Sequence, residues 1–186
     1  MIYASITCIT DSIMKSDTIF TIGHSNHDMA TFLQLLTAKF IQVVVDVRSA
    51  PYSRYVTWFN KRNIQSAIQD AGLKYIFMCD AIGGKPSDPG FSDANGRVLY
   101  SKIAESKKFR HGLDRLRQGL ADGWRIALMC AEKDPGKCHR HLLIAKELVT
   151  RHHIPVLHIR SDGSLLPAED LLDKDSIQPR LPIFSP

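Results

Sequence analysis

The feature that most constrains this chain is the alternation of short, almost wholly apolar runs with segments of helical periodicity. The runs are TIFTIG (18–23), IQVVVDV (41–47), LKYIF (73–77), WRIALMC (124–130) and IPVLHI (154–159). Runs this apolar suit strands covered on both faces, as in a parallel sheet. Between them, Met29, Phe32, Leu33 and Leu36 share one helical face, as do Ile64, Ala67, Ile68 and Ala71, then Phe109, Leu113, Leu116 and Leu120, then Leu142, Ala145, Leu148 and His152. Gly72 stands where a glycine stop is expected after the second helix. The order β-α-β-α-β-loop-α-β-α-β predicts a single-domain α/β fold. It is an open, mainly parallel five-stranded sheet with helices on both faces, a Rossmann-like or flavodoxin-like three-layer arrangement with right-handed crossovers.

The domain is expected over 18–160, with 1–17 an N-terminal extension and 161–186 a tail packing on the domain. Residues 1–13 carry no cap, periodic face or motif the domain requires, and Met14 could serve as an initiator. An apolar share of 44% with 23% charged residues is that of an ordinary globular protein, which excludes disorder as the main theme. No run reaches the roughly 18 apolar residues of a membrane span, and no secretory signal is evident, so a cytoplasmic protein without a membrane partner is expected. The four cysteines, Cys8, Cys79, Cys130 and Cys138, are too few and too irregular for a disulfide framework, which favours reduced thiols. A net charge of +5 tilts the chain toward anionic partners, a small molecule or a nucleic acid. Cofactor and oligomeric state stay open.

Ligands of open α/β sheets bind at the carboxyl ends of strands, so polar residues there carry the functional reading. Gly23 to Asp28 (GHSNHD) follows the first strand, Asp46 to Tyr55 (DVRSAPYSRY) the second, and CAEKDPGKCHRH (130–141) begins at the end of the fourth. The third strand leads into a Gly/Pro-rich connection, 79–90, that is either a lid or a surface excursion. Cys130 and Cys138 lie near helix starts and arginines, where a thiol tends to ionise; either is a possible nucleophile, and the alternative for Cys130 is a small buried hydrophobe. Glu132 can orient an arginine, act as a base or hold the loop in a salt bridge. Asp46, inside a valine-rich strand, needs a partner such as Arg48 or Arg140. Ser49, Tyr52, Ser53 and Arg54 supply hydroxyls and a guanidinium suited to phosphate or carboxylate. Zinc is weighed and not expected: on a helix His139 and Arg140 diverge by about 100°, so Cys138 and His139 should not readily share an ion while Arg140 also points inward.

The stretches TIGHSNH, VVDVRSAPYSR, LKYIF, IGGKP and ALMCAEKDPGKCHRHLLIA resemble the bacterial and archaeal family catalogued as domain of unknown function 488. The likeness runs from about residue 18 to 160, and no counterpart precedes Met14. It implies an α/β domain and no particular reaction. Its shared pattern falls on Gly23, His24, Ser25, Asp46, Arg48, Pro51, Ser53, Gly84, Cys130, Glu132, Cys138, His139 and Arg140, the positions the strand-end argument selects.

The leading expectation is an enzyme acting on a phosphate- or nucleotide-bearing substrate at the carboxyl edge. Cys130, His24, Glu132 and His139 are its catalytic candidates, with Arg48, Ser49, Tyr52, Ser53, Arg54, Cys138, Arg140 and Asp46 binding or supporting the anion. The first arginine after Cys130 is Arg140, so the C-x5-R cradle of cysteine phosphatases is absent. The alternatives are a non-catalytic nucleotide or nucleic-acid binding module, with Tyr52, Tyr55, Trp58 and Phe59 as stacking surfaces, and a thiol redox sensor using Cys130 and Cys138.

Overall fold

The computed structural model describes residues 17–172, so the expectations for the first 13 residues fall outside the described part. The five apolar runs form β1 (Ile19–Gly23), β2 (Val43–Asp46), β3 (Lys74–Phe77), β4 (Ile126–Cys130) and β5 (Val156–Ile159). The principal helices are α1 (Met29–Thr37), α2 (Lys61–Asp70), α3 (Cys79–Ile82), α4 (Tyr100–Glu105), α5 (Lys107–Ala121) and α6 (Lys146–His152). Local chemistry sets several of their ends. Asp28 caps α1 by accepting from Thr31 N, Ser106 caps α5 by accepting from Phe109 N, and Gly72 leaves α2 at φ +78°.

The sheet has one strand more than expected. β6 (Leu165–Pro167) pairs antiparallel with β5 at the edge, and the order is β3-β2-β4-β1-β5-β6. Three residues bounded by turn-forming ones carry too short a pattern to announce a strand, so five appear in the sequence and six among the described residues. The other pairings are parallel, and β4 lies between β1 and β2.

Alternate residues of each strand feed two separate cores, as the pleat requires. Phe20, Ile22, Val44, Ala127 and Met129 pack with Phe32 and Leu36 of α1 and Ile64 and Ile68 of α2. Ile19, Val43, Val45, Ile126 and Leu128 pack on the other face with Ile103, Phe109, Leu113, Leu116 and Leu148. The architecture is therefore three-layered. The chain leaves β1 and β2 onto one face and β4 onto the opposite face, so the three connections diverge at their carboxyl ends. That divergence opens a crevice beside β4 where a ligand site is expected.

One helical prediction shifts. Arg140–Ala145 is π-helical and runs into α6. The wider turn buries His141, Leu143 and Ile144 and leaves Leu142 and His152 half-buried, so a strict 3.6-residue face misplaces the start of this helix.

Candidate functional site

The site begins with a buried ion pair at the end of β2. Asp46 Oδ1 accepts from Arg48 Nε (2.9 Å) and from the Arg48 backbone N–H (3.0 Å), while Oδ2 accepts from Arg48 Nη2 (2.7 Å) and the Tyr75 hydroxyl (2.7 Å). Asp46 is wholly buried and Arg48 nearly so, a placement that requires full pairing. Arg48 Nη1 donates to the Phe59 carbonyl (2.8 Å) and to His24 Nε2 (3.1 Å). His24 Nδ1 donates to the Ser25 carbonyl (2.8 Å). Only the neutral Nδ1–H imidazole satisfies both contacts, since a carbonyl can only accept and a guanidinium only donate. Burial above all, with the Arg48 charge beside it, pushes the His24 pKa down to about 4. Its ring stacks on Phe59 at 4.2 Å between centroids.

The second cluster joins β4 to the following helix. His139 Nε2 donates to the Val47 carbonyl (3.1 Å), which turns Nδ1 toward two sulfurs: Cys130 Sγ and Cys138 Sγ each lie 3.8 Å from it. Nδ1 can exchange a proton with either. The Cys138 thiol, and after it His139, holds Cys130 below the usual thiol range against the opposing effect of burial; the same sulfur–sulfur interaction and burial push Cys138 up. Of the two sulfurs, Cys130 is therefore the more readily ionised, and the thiolate is the reactive form.

This convergence corrects the angular argument made from sequence. Cys138 is extended (φ −122°, ψ 142°) and helical geometry starts only at His139 (φ −58°, ψ −22°). Cys138 therefore lies outside the helix and converges with His139 on Cys130, while Arg140, one helical residue on from His139, points inward as well.

Arg140, expected to bind the anion, makes its hydrogen bonds to the loop after β4. The residue is 1% exposed; Nη1 donates to the Glu132 carbonyl (2.6 Å) and Nη2 to the Lys133 carbonyl (3.1 Å). It lines neither cavity described below. It fixes the loop after β4 from beneath, with Gly23 packed so closely that a Cβ there would strike the Glu132 carbonyl. Burial lowers the Arg140 pKa. Gly84 has a matching relation to His139, because a Cβ at Gly84 would enter the space of the imidazole ring.

Two adjoining cavities open over these clusters. One of about 470 Å³ is lined by His24, Arg48, Tyr52, Ser53, Glu132 and Lys133, among others. Its neighbour, about 230 Å³, is lined by Arg48, Ser49, Glu132, Cys130, Cys138 and His139, with Lys85, Tyr100 and Lys137 at its margin. Arg48 and Glu132 are common to both. Ser49 Oγ accepts from Lys85 N (3.0 Å), so the 79–90 connection supplies part of the wall. Ser53 Oγ is engaged with the backbone N–H groups of Tyr55 and Val56.

Of the residues chosen from sequence, His24, Arg48, Ser49, Tyr52, Ser53, Cys130, Glu132, Cys138 and His139 line this paired cavity. Asp46 stands behind Arg48 with both oxygens used, and Arg54 is exposed and lines neither part. Phe59 is core, 1% exposed, whereas Tyr52 and Tyr55 are open to solvent. Sequence reasoning missed Tyr75, whose hydroxyl in an otherwise apolar strand was the available signal. It also missed the Val47 carbonyl, for which no side-chain signal exists.

No helix among the described residues is long and apolar enough to cross a membrane. No curated protein and no solved structure matches the chain. A family model does match, over residues 28–146, and its description is Domain of unknown function DUF488. That span holds the Asp46–Arg48 pair, Gly84, Cys130, Glu132, Cys138 and His139, and with most of its length inside the match the chain belongs to the DUF488 family.

Proposed function

We propose that this protein is an enzyme that binds an anionic, phosphate- or nucleotide-bearing substrate against Arg48 and attacks it with the Cys130 sulfur. The supporting observation is that Arg48 and Cys130 line one cavity while His139 Nδ1 faces the sulfur at 3.8 Å. Nucleophile, base and a third group orienting the base follow the logic of cysteine nucleophiles: Cys130, His139 and the Val47 carbonyl take those roles. His139 accepts the Cys130 proton. Sγ then forms a bond to the electrophilic atom of the substrate, the electron pair of the broken bond departs with the leaving group, and His139 returns the proton to it. Water cleaves the covalent intermediate and regenerates the thiol. His24, with both ring nitrogens engaged, orients Arg48 instead of moving protons. Glu132, exposed and lining both cavities, directs the water in this mechanism. Lys85 and Lys137 add positive charge at the margin. Thiol chemistry of this kind needs a reducing compartment, which favours the cytoplasm.

The test is alkylation by iodoacetamide of reduced, chelator-treated protein near neutral pH, following the Cys130 peptide with and without pyrophosphate or a nucleotide. Modification of Cys130, slowed by the anion, is expected. An unreactive Cys130, with Cys130→Ala retaining full anion affinity, would sink the enzyme reading in favour of a binding module. Tyr52 lends that second reading support, since it is 71% exposed and lines the Arg48 cavity as a base-stacking platform would.

A further inference from the structure

We infer that Cys130, Cys138 and His139 form a three-ligand site for a thiophilic divalent ion, zinc in particular, with its fourth position open to the cavity that Arg48 also lines. The two sulfurs and the imidazole nitrogen lie within 4.8 Å of one another. Zinc bonds of about 2.3 Å to sulfur and 2.0–2.1 Å to nitrogen at tetrahedral angles place such atoms about 3.6–3.8 Å apart. The two S···N separations are both 3.8 Å, so closing on an ion requires little movement there. A direct hydrogen bond explains these distances less well, being long for one sulfur and improbable for both together through a single nitrogen.

The surroundings are those of a metal ligand set. The Val47 carbonyl accepts from His139 Nε2 (3.1 Å), which fixes the tautomer and leaves the Nδ1 lone pair for the ion. Gly84 packs flat against the ring, where a side chain would displace it. The ligands sit on rigid elements: Cys130 ends a central strand, and His139 starts the helix that follows. All three are at most 8% exposed, which shields the ion on the protein side. They also line the 230 Å³ cavity together with Glu132 and Tyr100, so a water or a substrate oxygen has access to the remaining position. Three protein ligands with one open position is the arrangement of catalytic zinc, as distinct from a closed structural site. Two thiolates and an imidazole select zinc over magnesium or calcium, which take oxygen ligands.

Metal-bound and metal-free chains therefore present different chemistry at one place. With the ion bound, Cys130 is a ligand and cannot attack substrate; without it, the Cys130 sulfur of the proposed enzyme faces the cavity. The inference rests on the proposed function only in this consequence, not in the existence of the site.

The test uses full-length reduced protein carrying Cys8→Ser and Cys79→Ser, which leaves Cys130 and Cys138 as the only thiols. Cobalt(II) titration should give one equivalent of a tetrahedral complex with thiolate-to-metal charge-transfer bands, displaced by zinc. His139→Ala and Cys138→Ser should each lose the bands, with circular dichroism reporting whether they fold. In the parent protein, zinc should protect both Cys130 and Cys138 from iodoacetamide, a readout independent of those variants. Absence of the charge-transfer bands, together with unchanged alkylation in excess zinc, overturns the inference. Cobalt bands in a protein whose metal-free Cys130 resists alkylation would uphold the metal site and remove the nucleophile instead.

Discussion

Arg48 Nη1 lies 3.1 Å from His24 Nε2, and the guanidinium can make that contact only with a neutral imidazole. Protonating His24 places two buried cations in contact. His158 behaves alike: it is wholly buried, its Nδ1 is 2.7 Å from the Thr21 hydroxyl, and burial, with His141 next, pushes its pKa down to about 3. Both folded-state values lie below the unfolded value of about 6.5. In the interval between, the unfolded chain binds more protons, so this stability is fully present above pH 6.5 and falls as the pH drops toward 4 and then 3. The loss from His24 should be on the order of 3 kcal/mol. Urea unfolding at pH 7.5 and pH 4.5 measures it, and His24→Gln should flatten the upper part of the dependence.

Asp46 should be the costliest single position at the site. Asp46→Ala leaves the Arg48 guanidinium buried without its carboxylate, a change worth about 3–5 kcal/mol. Tyr75→Phe removes one hydrogen bond to the same carboxylate and should cost about 1–2 kcal/mol. Chemical denaturation of both variants checks the order; equal losses would contradict the central place given to the ion pair.

Arg48 and Arg140 should separate cleanly. Arg48→Lys keeps a charge but loses the bidentate fork, and pyrophosphate protection of Cys130 should weaken markedly. Arg140→Met removes the donors to the Glu132 and Lys133 carbonyls and should lower stability by about 1–3 kcal/mol. Anion protection should be reduced less than in Arg48→Lys, because Arg140 lines neither cavity. The reverse ranking in competition alkylation would return Arg140 to the binding surface.

Gly84→Ala probes the seat of His139. The added Cβ meets the His139 Cβ and the ring Nδ1 at 2.6 and 2.7 Å, so the imidazole must shift from its position between the sulfurs and the Val47 carbonyl. Overpacking of this kind costs about 1–3 kcal/mol. Cys130 alkylation at neutral pH should slow even where the protein remains folded, and a rate equal to that of the parent would show that His139 does not activate the sulfur.

The sequence by itself determined the layers and the edge that carries the site. Apolar runs and helical faces are local patterns, and the carboxyl ends of parallel strands follow from them, which is why Arg48, Cys130, Glu132 and His139 could be chosen without coordinates. The short β6 escaped, having too few residues to show a period. What only the tertiary structure decided was who meets whom. β4 lies between β1 and β2, and that order brings His24, Arg48 and Cys130 to one crevice. A contact such as His139 Nε2 to the Val47 carbonyl joins residues 92 apart in sequence and involves a backbone atom no side-chain pattern reveals. The extended backbone at Cys138 and the π-helical turn after it set the directions of three consecutive side chains, so Cys138 and His139 converge on Cys130 while Arg140 turns beneath the loop. Spacing along the chain assumes regular geometry, and this junction is where the backbone departs from it.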